Sequence, residues 1–379
     1  MSDYVPQEVL FEILLRVPVK SLLRCRCVCK SWYSLISNPD FISNHTKRTA
    51  LYSTNTHLVL RRYASDDQEE TFTLHYDDDE LFGDCQKLDF PFKSSRDYFH
   101  IVGSCNGVLC LIDNHTKGLK PIVLWNISIG LSVTLPLQQI TYQLFHNEVL
   151  GFGFDSQNND YKVVRIVYSR MSDKSLILPP DVEIFELSNG AWRIISPRSA
   201  PNCVLTDSST ASLNGAVHWV GYYNSSEEVG NSNRLVIALF DMTEEVFEEL
   251  NLPDGIADDI LEQLSVTVFG RLLSVIQYKR WVRKLGYHGC CIWVMNEYGV
   301  AESWTKLLNI DFWSGLRKVL GLRNNGEVLL VKNDGELVSH DPWSKRSSKL
   351  EIHGESSSFF ADTYMETLVL LKGKKRLCN

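Results

Sequence analysis

The sequence has 379 residues, enough for one large domain and a small one or for two domains of medium size. Hydrophobic residues make up 44% and aromatic residues 11%, an ordinary share that excludes a largely disordered chain. No apolar run approaches the length of a membrane-spanning helix, and the N-terminus does not resemble a secretion signal. We therefore expect a protein of the cytoplasm or the nucleus that has no membrane partner.

Charge is unevenly distributed along the chain. Residues 1–50 carry seven Lys or Arg against four Asp or Glu, a net +3, which leaves residues 51–379 with 31 against 42, a net −11. A nucleic-acid-binding protein would show a basic face, and none stands out here, so we expect no nucleic-acid partner. The ten cysteines do not form a ligand pattern, since Cys25, Cys27 and Cys29 alternate along a predicted helix. We expect reduced thiols, no metal and no cofactor.

The segment that starts at Val5 predicts three short helices. Pro6 suits the first turn of a helix, and apolar residues then recur at intervals of three and four up to Pro18, which ends it. Ser21 is placed to cap a second helix. A third helix follows and is predicted to end at Asn38 and Pro39. So small a unit barely forms its own core, yet it is apolar on more than one side, which indicates a surface that a partner completes.

The residues of this segment resemble the F-box, the helical motif by which substrate receptors bind the Skp-type adaptor of SCF ubiquitin ligases. The matching residues are Pro6, Ile13-Leu14, Val17-Pro18-Val19-Lys20-Ser21-Leu22-Leu23 and Cys27-Val28-Cys29-Lys30-Ser31-Trp32. The resemblance implies that the adaptor is contacted by residues spread over the three helices: Pro6, Ile13, Pro18, Leu22, Val28, Cys29 and Trp32, with Lys30 at the rim. For Ile13 and Trp32 the alternative is a place in the internal core.

The rest of the chain repeats at a regular interval. Turn signals between apolar runs occur at Asn106-Gly107, Asn159-Asp160, Asn214-Gly215, Phe269-Gly270 and Asn325-Gly326, so that successive signals lie 53, 55, 55 and 56 positions apart. Each is followed by an alternating strand, a polar turn and a short outer strand. Asn-Gly favours the hairpin turn that matches strand twist, so the unit is four antiparallel strands. Four-stranded units at such an interval are typical of propeller blades.

Five such units run from about residue 100 to residue 353. Strand-like segments remain at both ends of this part, around residues 49–76 and residues 361–372, and their pairing would complete a sixth blade and leave no open sheet edge. We therefore predict an α+β multidomain chain, a small three-helix F-box followed by an all-β, six-bladed, kelch-like β-propeller. A paired β-sandwich is the alternative. The predicted limits are 1–45 for the F-box, 46–98 for a linker with closing strands, 99–372 for the propeller and 373–379 for a basic tail.

The repeat region also resembles the plant F-box-associated interaction domain. Matching stretches include GSCNGVLCL, GFGFDSQNNDYKVVRIV, LNGAVHWVG, FDMTEEVFEELNLP and YMETLVLL, in the family's order. The resemblance implies a receptor that holds the adaptor and, through it, cullin and RING subunits, and that captures a protein substrate not identified by the sequence. That family includes receptors of plant immunity and of pollen self-incompatibility. The alternative is an F-box protein that acts as a scaffold outside the ligase.

Enzyme motifs are not found in the sequence. It has no Gly-x-Ser-x-Gly elbow, no phosphate-binding Walker loop and no His-Glu-x-x-His. Gly151 and Gly153 form only a fragment of a dinucleotide loop, and His218 beside Trp219 is interpreted as a structural histidine. We therefore predict a non-catalytic subunit. Substrate contacts are expected in the longer insertions at one face of the ring, at residues 142–148, 171–180, 222–233 and 278–288.

Overall fold

The structure is a computed structural model that describes most of the chain. The described residues are 6–52, 57–64, 69–77, 82–83, 85–90, 92, 98–113, 120–141, 146–169, 179–196, 200–223, 234–256, 264–280 and 287–369. The predicted basic tail, residues 373–379, lies outside them. Four helices come first and 23 strands follow within these ranges.

The described residues form one α-helix more than the sequence predicted. The helices are α1 (Gln7–Leu14), α2 (Val19–Cys25), α3 (Lys30–Ile36) and α4 (Pro39–Tyr52). Asn38 and Pro39 end the third helix, as predicted, but the predicted number of helices is wrong, because proline also fits the first position of a helix and α4 starts there. The side chain of Asn38 accepts a hydrogen bond from the backbone N–H of Asp40 at 2.8 Å and so starts α4.

The predicted cap of α2 is also wrong. This helix begins directly after Pro18 and has no side-chain cap, so Ser21 lies inside it. Instead, the backbone N–H of Val19 donates to the carboxylate of Glu366 at 2.9 Å, from the other end of the chain. A carboxylate that satisfies a free N–H at a helix start takes the role of a cap.

Four sheets have four strands each. They are formed by β1 (His57–Ala64), β2 (Glu69–Tyr76), β3 (Cys85–Leu88) and β23 (Phe360–Thr363); by β4 (His100–Cys105), β5 (Val108–Ile112), β6 (Ile122–Asn126) and β7 (Leu131–Thr134); by β8 (His146–Asp155), β9 (Asp160–Ser169), β10 (Asp181–Glu186) and β11 (Ala191–Ile194); and by β12 (Val204–Leu213), β13 (Ala216–Tyr222), β14 (Leu235–Asp241) and β15 (Phe247–Leu250). All neighbours within these sheets are antiparallel.

A fifth sheet of seven strands contains two blades. Its strands, in order, are β16 (Leu264–Phe269), β17 (Leu272–Arg280), β18 (Tyr287–Met295), β19 (Trp304–Leu322), β20 (Val328–Lys332), β21 (Glu336–Asp341) and β22 (Arg346–His353). The first half of β19 pairs with β18 and the second half with β20. This long strand is therefore the outer strand of one blade and the inner strand of the next.

The ring closes by pairing the two ends of the β region. β1 and β23 are antiparallel, with Leu60 opposite Ala361. The C-terminal strand is thus the inner strand of a blade whose other three strands come first in the chain, which confirms the pairing that the sequence predicted. Inner strands of successive blades contact one another, as β4, β8, β12 and β16 show. Five sheets, one of which holds two blades, make six blades, so the propeller prediction is confirmed and the sandwich alternative is wrong.

Two of the predicted hairpin turns have the expected geometry. Asn106 and Gly107 have φ of 48° and 77°, and Asn214 and Gly215 have φ of 52° and 80°, as two-residue turns between twisted strands require. The turn predicted at Phe269-Gly270 lies one residue later, because Phe269 pairs with Leu272 across the strands.

The propeller has two distinct faces. Because neighbouring strands are antiparallel, two connections of each blade lie at the same end. These are the connection between the first and second strands and the connection between the third and fourth strands. Contacts between blades align these ends: the hydroxyl of Thr243, after β14, donates to Asp155 at the end of β8 at 3.1 Å. We call this end the turn face. The opposite end, where the inner strands begin, is called the loop face.

Several tryptophans fill the blades of the propeller. Trp125, Trp192, Trp219 and Trp304 are buried in its core. Trp313, by contrast, has 67% of its surface exposed, because it lies in the middle of β19 where the chain crosses between blades.

Candidate functional site

One side of the N-terminal helices forms a core with the propeller. Leu14, Leu22, Ile36 and Phe41 are buried there, and they pack with Leu368 from the segment that follows β23. Burial of a leucine or isoleucine side chain contributes roughly 1.5–3 kcal/mol, so this contact fixes the helices on the propeller.

The segment that follows β23 lies between the helices and the turn face. Thr367 hydrogen-bonds the hydroxyl of Thr46 at 3.2 Å, and its backbone N–H donates to the hydroxyl of Ser128 at 3.1 Å. The side-chain amide of Asn126 donates to the carbonyls of Thr367 and Val369 at 3.0 and 2.7 Å. The helices therefore lie on the turn face, held there by the opposite end of the chain.

The other side of the helices leaves large apolar groups in solvent. Val9 and Ile13 are one turn apart on α1 and about half exposed, Val28 precedes α3 and is 66% exposed, and Tyr33 is 54% exposed. Val9, Ile13 and Leu14 are all part of the apolar pattern with intervals of three and four that predicted this helix. The structure separates them, because Leu14 faces the core. A cluster of exposed apolar side chains on one small unit is a mark of a protein-binding surface.

Most of the predicted adaptor contacts lie on this exposed side. Pro6, Ile13, Pro18, Val28, Cys29 and Lys30 are not buried in the core, and Trp32 is half-buried against it. Leu22 is fully buried in the core, so its prediction as a direct contact is corrected: it holds α2 against the propeller. Val9 and Tyr33 are also exposed on this side, and the sequence did not predict them as contacts. Val9 lies four residues before Ile13, a helical spacing that could have included it.

The exposed side is basic at its edge. α2, α3 and the turn between them carry four cationic and no acidic side chains: Lys20, Arg24, Arg26 and Lys30. The guanidinium of Arg26 stacks over the ring of Tyr33, 4.8 Å from its centre. The Sγ of Cys29 lies 3.1 Å from the hydroxyl of Ser31, and this hydrogen bond lowers the pKa of the thiol. The arrangement suits a partner with an apolar centre and an acidic rim.

The features considered for catalysis have structural roles. His218 is fully buried, with one ring nitrogen 3.0 Å from the carbonyl of Ala211 and the other 2.8 Å from the hydroxyl of Tyr298, and burial lowers its pKa to about 4. Gly151 lies in β8, where a Cβ atom would come within 2.4 Å of Trp219. Close packing thus explains this glycine without a nucleotide.

The described ranges contain neither a cluster of metal-ligating side chains nor a membrane-spanning helix. Within them, three or more His, Cys, Asp or Glu side chains do not come together in a way that could hold a metal ion. None of the helices there has the length and apolar character needed to cross a membrane.

The four insertions predicted to contact substrate adjoin the loop face. Most of residues 142–148, 171–180, 222–233 and 278–288 lie outside the described residues. The strand ends that flank them, such as those of β13 and β14 or of β17 and β18, open on the loop face, opposite the helices. Their role in binding stays a prediction.

Comparison with known families identifies both parts of the chain. Residues 4–44 match the F-box domain, and residues 86–369, three quarters of the sequence, match the F-box associated beta propeller domain. The chain belongs to the F-box proteins with an F-box associated propeller. This membership confirms both resemblances seen in the sequence.

Curated relatives of this F-box protein match it over nearly its whole length. It is 28% identical to F-box protein CPR1 of Arabidopsis thaliana, over 97% of this chain and 89% of that protein. It is 29% identical to F-box/kelch-repeat protein At3g23880 of the same plant, over 96% and 95%. A likeness to TolB from Acinetobacter baumannii covers 83% of this chain and 70% of that one at 12% identity, with a TM-score of 0.43, which is too low to support a conclusion.

Proposed function

We propose that this F-box protein is the substrate-recognition subunit of an SCF-type cullin–RING ubiquitin ligase. The observation that carries the proposal is the exposed apolar side of a matched F-box, formed by Val9, Ile13, Val28 and Tyr33. A Skp-type adaptor would cover this surface and connect the chain to the cullin and RING subunits.

The division of the molecule into two ends supports this role. The helices lie on the turn face, so the loop face points away from them and is open to a protein substrate. The segment after β23 joins the helices to the propeller through buried contacts, which fixes the F-box at the end opposite the loop face. A receptor of this kind acts by proximity: it raises the local concentration of substrate lysines near the ubiquitin-conjugating enzyme and performs no bond chemistry itself. The proposal assigns it to the cytoplasm or the nucleus and needs no cofactor.

Co-purification with adaptor, cullin and RING subunits tests the proposal. Val28→Asp puts a charge into the centre of the exposed apolar side without touching the core, and we expect it to weaken adaptor binding by about 100-fold. Leu51→Asp, on α4, is the matched control, since Leu51 is also 66% exposed and lies outside the predicted contacts. It should bind the adaptor as the wild type does.

The outcomes separate a receptor from a scaffold. A receptor recovers adaptor, cullin and ubiquitin-transfer activity together, and loses all three in Val28→Asp. Recovery of the adaptor without the cullin would indicate the scaffold. Equal adaptor binding by wild type and Val28→Asp would contradict the assigned docking surface.

A further inference from the structure

A lysine of an inner strand lies at the loop-face end of the central channel. Lys318 is in the half of β19 that serves as an inner strand, near the point where that half begins. His100 is the first residue of the inner strand β4, and Phe359 directly precedes the inner strand β23. All three therefore lie near the loop-face end of the ring, which we call the channel mouth.

Lys318 has a different kind of hydrogen-bond partner from the fully buried cations of the protein. Each fully buried Lys or Arg among the described residues pairs with a carboxylate at 3.2 Å or less: Arg61 with Glu70, Lys162 with Asp155, Arg165 with Glu183 and Arg323 with Asp77. Within the same part of the chain, the ammonium of Lys318 has one hydrogen-bond acceptor, the carbonyl of Phe359 at 3.1 Å. A half-buried ammonium with only a carbonyl partner keeps most of its cost of desolvation.

The surroundings of Lys318 add positive charge. Burial, and then the neighbouring Arg61 and Arg317, lower the pKa of Lys318 to about 8. The donors of Arg61 are already used by Glu70 and by the carbonyls of Ser358 and Phe99. Lys318, with one acceptor among the described residues, therefore retains donors for a ligand where Arg61 does not.

His100, in another blade, also indicates an excess of positive charge at the channel mouth. Burial, Lys318 and Arg61 lower the pKa of His100 to about 4, so its ring is neutral at physiological pH, although it is reached by solvent from the channel. Asp207 on β12 and Lys120 also act on His100, in opposite directions. Asp207 is thus an acidic group close to His100, and it is not among the groups that shift the pKa of Lys318.

We propose that the channel mouth binds an anionic group, a carboxylate or a phosphate, of the protein substrate, and that Lys318 is the residue that pairs with it. An anion there would supply the partner that the other buried cations have, and it would be attracted by Arg317 next to Lys318. His100 at the mouth is exposed to solvent, so an acidic or phosphorylated side chain in an extended segment can enter the mouth from the loop face. This inference rests on the proposed function, because the loop face is where that function places the substrate.

Peptide binding by the full-length chain tests the site without the adaptor. Three fluorescein-labelled peptides share a Gly-Ser framework and carry a run of glutamates, a phosphoserine or, as the neutral reference, a run of glutamines. Fluorescence anisotropy should show that the glutamate or the phosphoserine peptide binds and that the glutamine peptide does not. The preferred peptide then tells which anion the mouth accepts.

Three variants assign the binding to Lys318. Lys318→Met should weaken the acidic peptides at least tenfold, and Lys318→Arg, which keeps the charge, should stay within about threefold of the wild type. Lys349→Met is the matched control, since Lys349 is an exposed lysine on β22 that pairs with Glu336. It should leave binding unchanged. Because Lys318 has no carboxylate partner to lose among the described residues, Lys318→Met should melt at or above the wild-type temperature.

The results also separate this inference from the proposed function. Equal binding by Lys318→Met and wild type, or no binding of either acidic peptide, would overturn the site and leave adaptor docking intact. An equal loss in Lys318→Arg and Lys318→Met would overturn the role of the charge. Peptide binding that depends on Lys318 in a chain that fails to capture the adaptor would instead overturn the proposed function and leave the site standing.

Discussion

The solvent-facing side of the F-box and the channel mouth of the propeller are two places where the protein leaves its own groups unsatisfied. On the F-box, apolar side chains such as Ile13 and Val28 lie in water. At the mouth, the ammonium of Lys318 is half-buried without a carboxylate partner among the described residues. In the core the same chemical groups are satisfied, since leucines pack against one another and the fully buried cations form ion pairs.

The two places differ in what would satisfy them. The F-box needs apolar surface, which is the material of stable contacts between subunits, whereas the mouth needs a single anion. This difference matches a permanent partner at one end and an exchanging one at the other. Adaptor binding and protein stability therefore test the F-box, and the pH dependence of stability tests the channel mouth.

Replacing one apolar residue on each side of the F-box by alanine should give the largest changes, in stability on one side and in adaptor binding on the other. Leu22→Ala should destabilise the helices by about 2–5 kcal/mol, because it leaves a cavity in the core shared with Leu368. Ile13→Ala should change the free energy of unfolding by less than about 0.5 kcal/mol and yet weaken adaptor binding about tenfold. Chemical denaturation followed by circular dichroism, together with adaptor titration, measures both. Equal stability losses in the two variants would contradict the assignment of the two sides.

The pH dependence of stability tests the channel mouth. The pKa of Lys318 is about 8 in the folded protein against an ordinary value of 10.5. Between these values the unfolded chain binds more protons, so the free energy of unfolding should rise with pH across that window. The rise should be about 2 kcal/mol relative to Lys318→Met, after allowance for the water that reaches the side chain. Identical pH profiles for both proteins would show that Lys318 already has a partner for its charge.

The smallest expected effect concerns the connection between the two regions. Glu366→Ala removes the carboxylate that accepts the N–H of Val19, and it should cost about 1–2 kcal/mol of F-box stability. Glu12→Ala, which breaks only the exposed pair with Arg16, should cost less than about 0.5 kcal/mol. Thermal unfolding of the two variants side by side makes the comparison. If Glu366→Ala is as mild as Glu12→Ala, the C-terminal segment does not hold the helices as described.

The F-box and the blade architecture could be predicted because both depend on local patterns. Helical spacing identified α1, and the recurring turns at Asn106-Gly107 and Asn214-Gly215 set the period of the blades. The local pattern did not predict α4, because Pro39 has the same appearance at the end of one helix and the start of another.

The remainder depends on contacts between distant parts of the chain. Which side of α1 is buried is decided by Leu368, and the start of α2 is satisfied by Glu366, both from the opposite end of the sequence. Lys318 has the appearance of an ordinary strand residue until the ring brings it beside Phe359 and His100. The channel mouth therefore had no local sequence signal.

Protection of Cys29 by the adaptor is a direct test of whether the adaptor covers the exposed side of the F-box. Cys29 lies in the predicted docking surface, its thiol is exposed, and the hydrogen bond with Ser31 lowers its pKa, which favours the reactive thiolate. Cys85 on β3 is also exposed and serves as the internal reference. Alkylation read by mass spectrometry should show that the adaptor slows the labelling of Cys29 at least tenfold and leaves that of Cys85 unchanged. Equal labelling of Cys29 with and without bound adaptor would contradict the account.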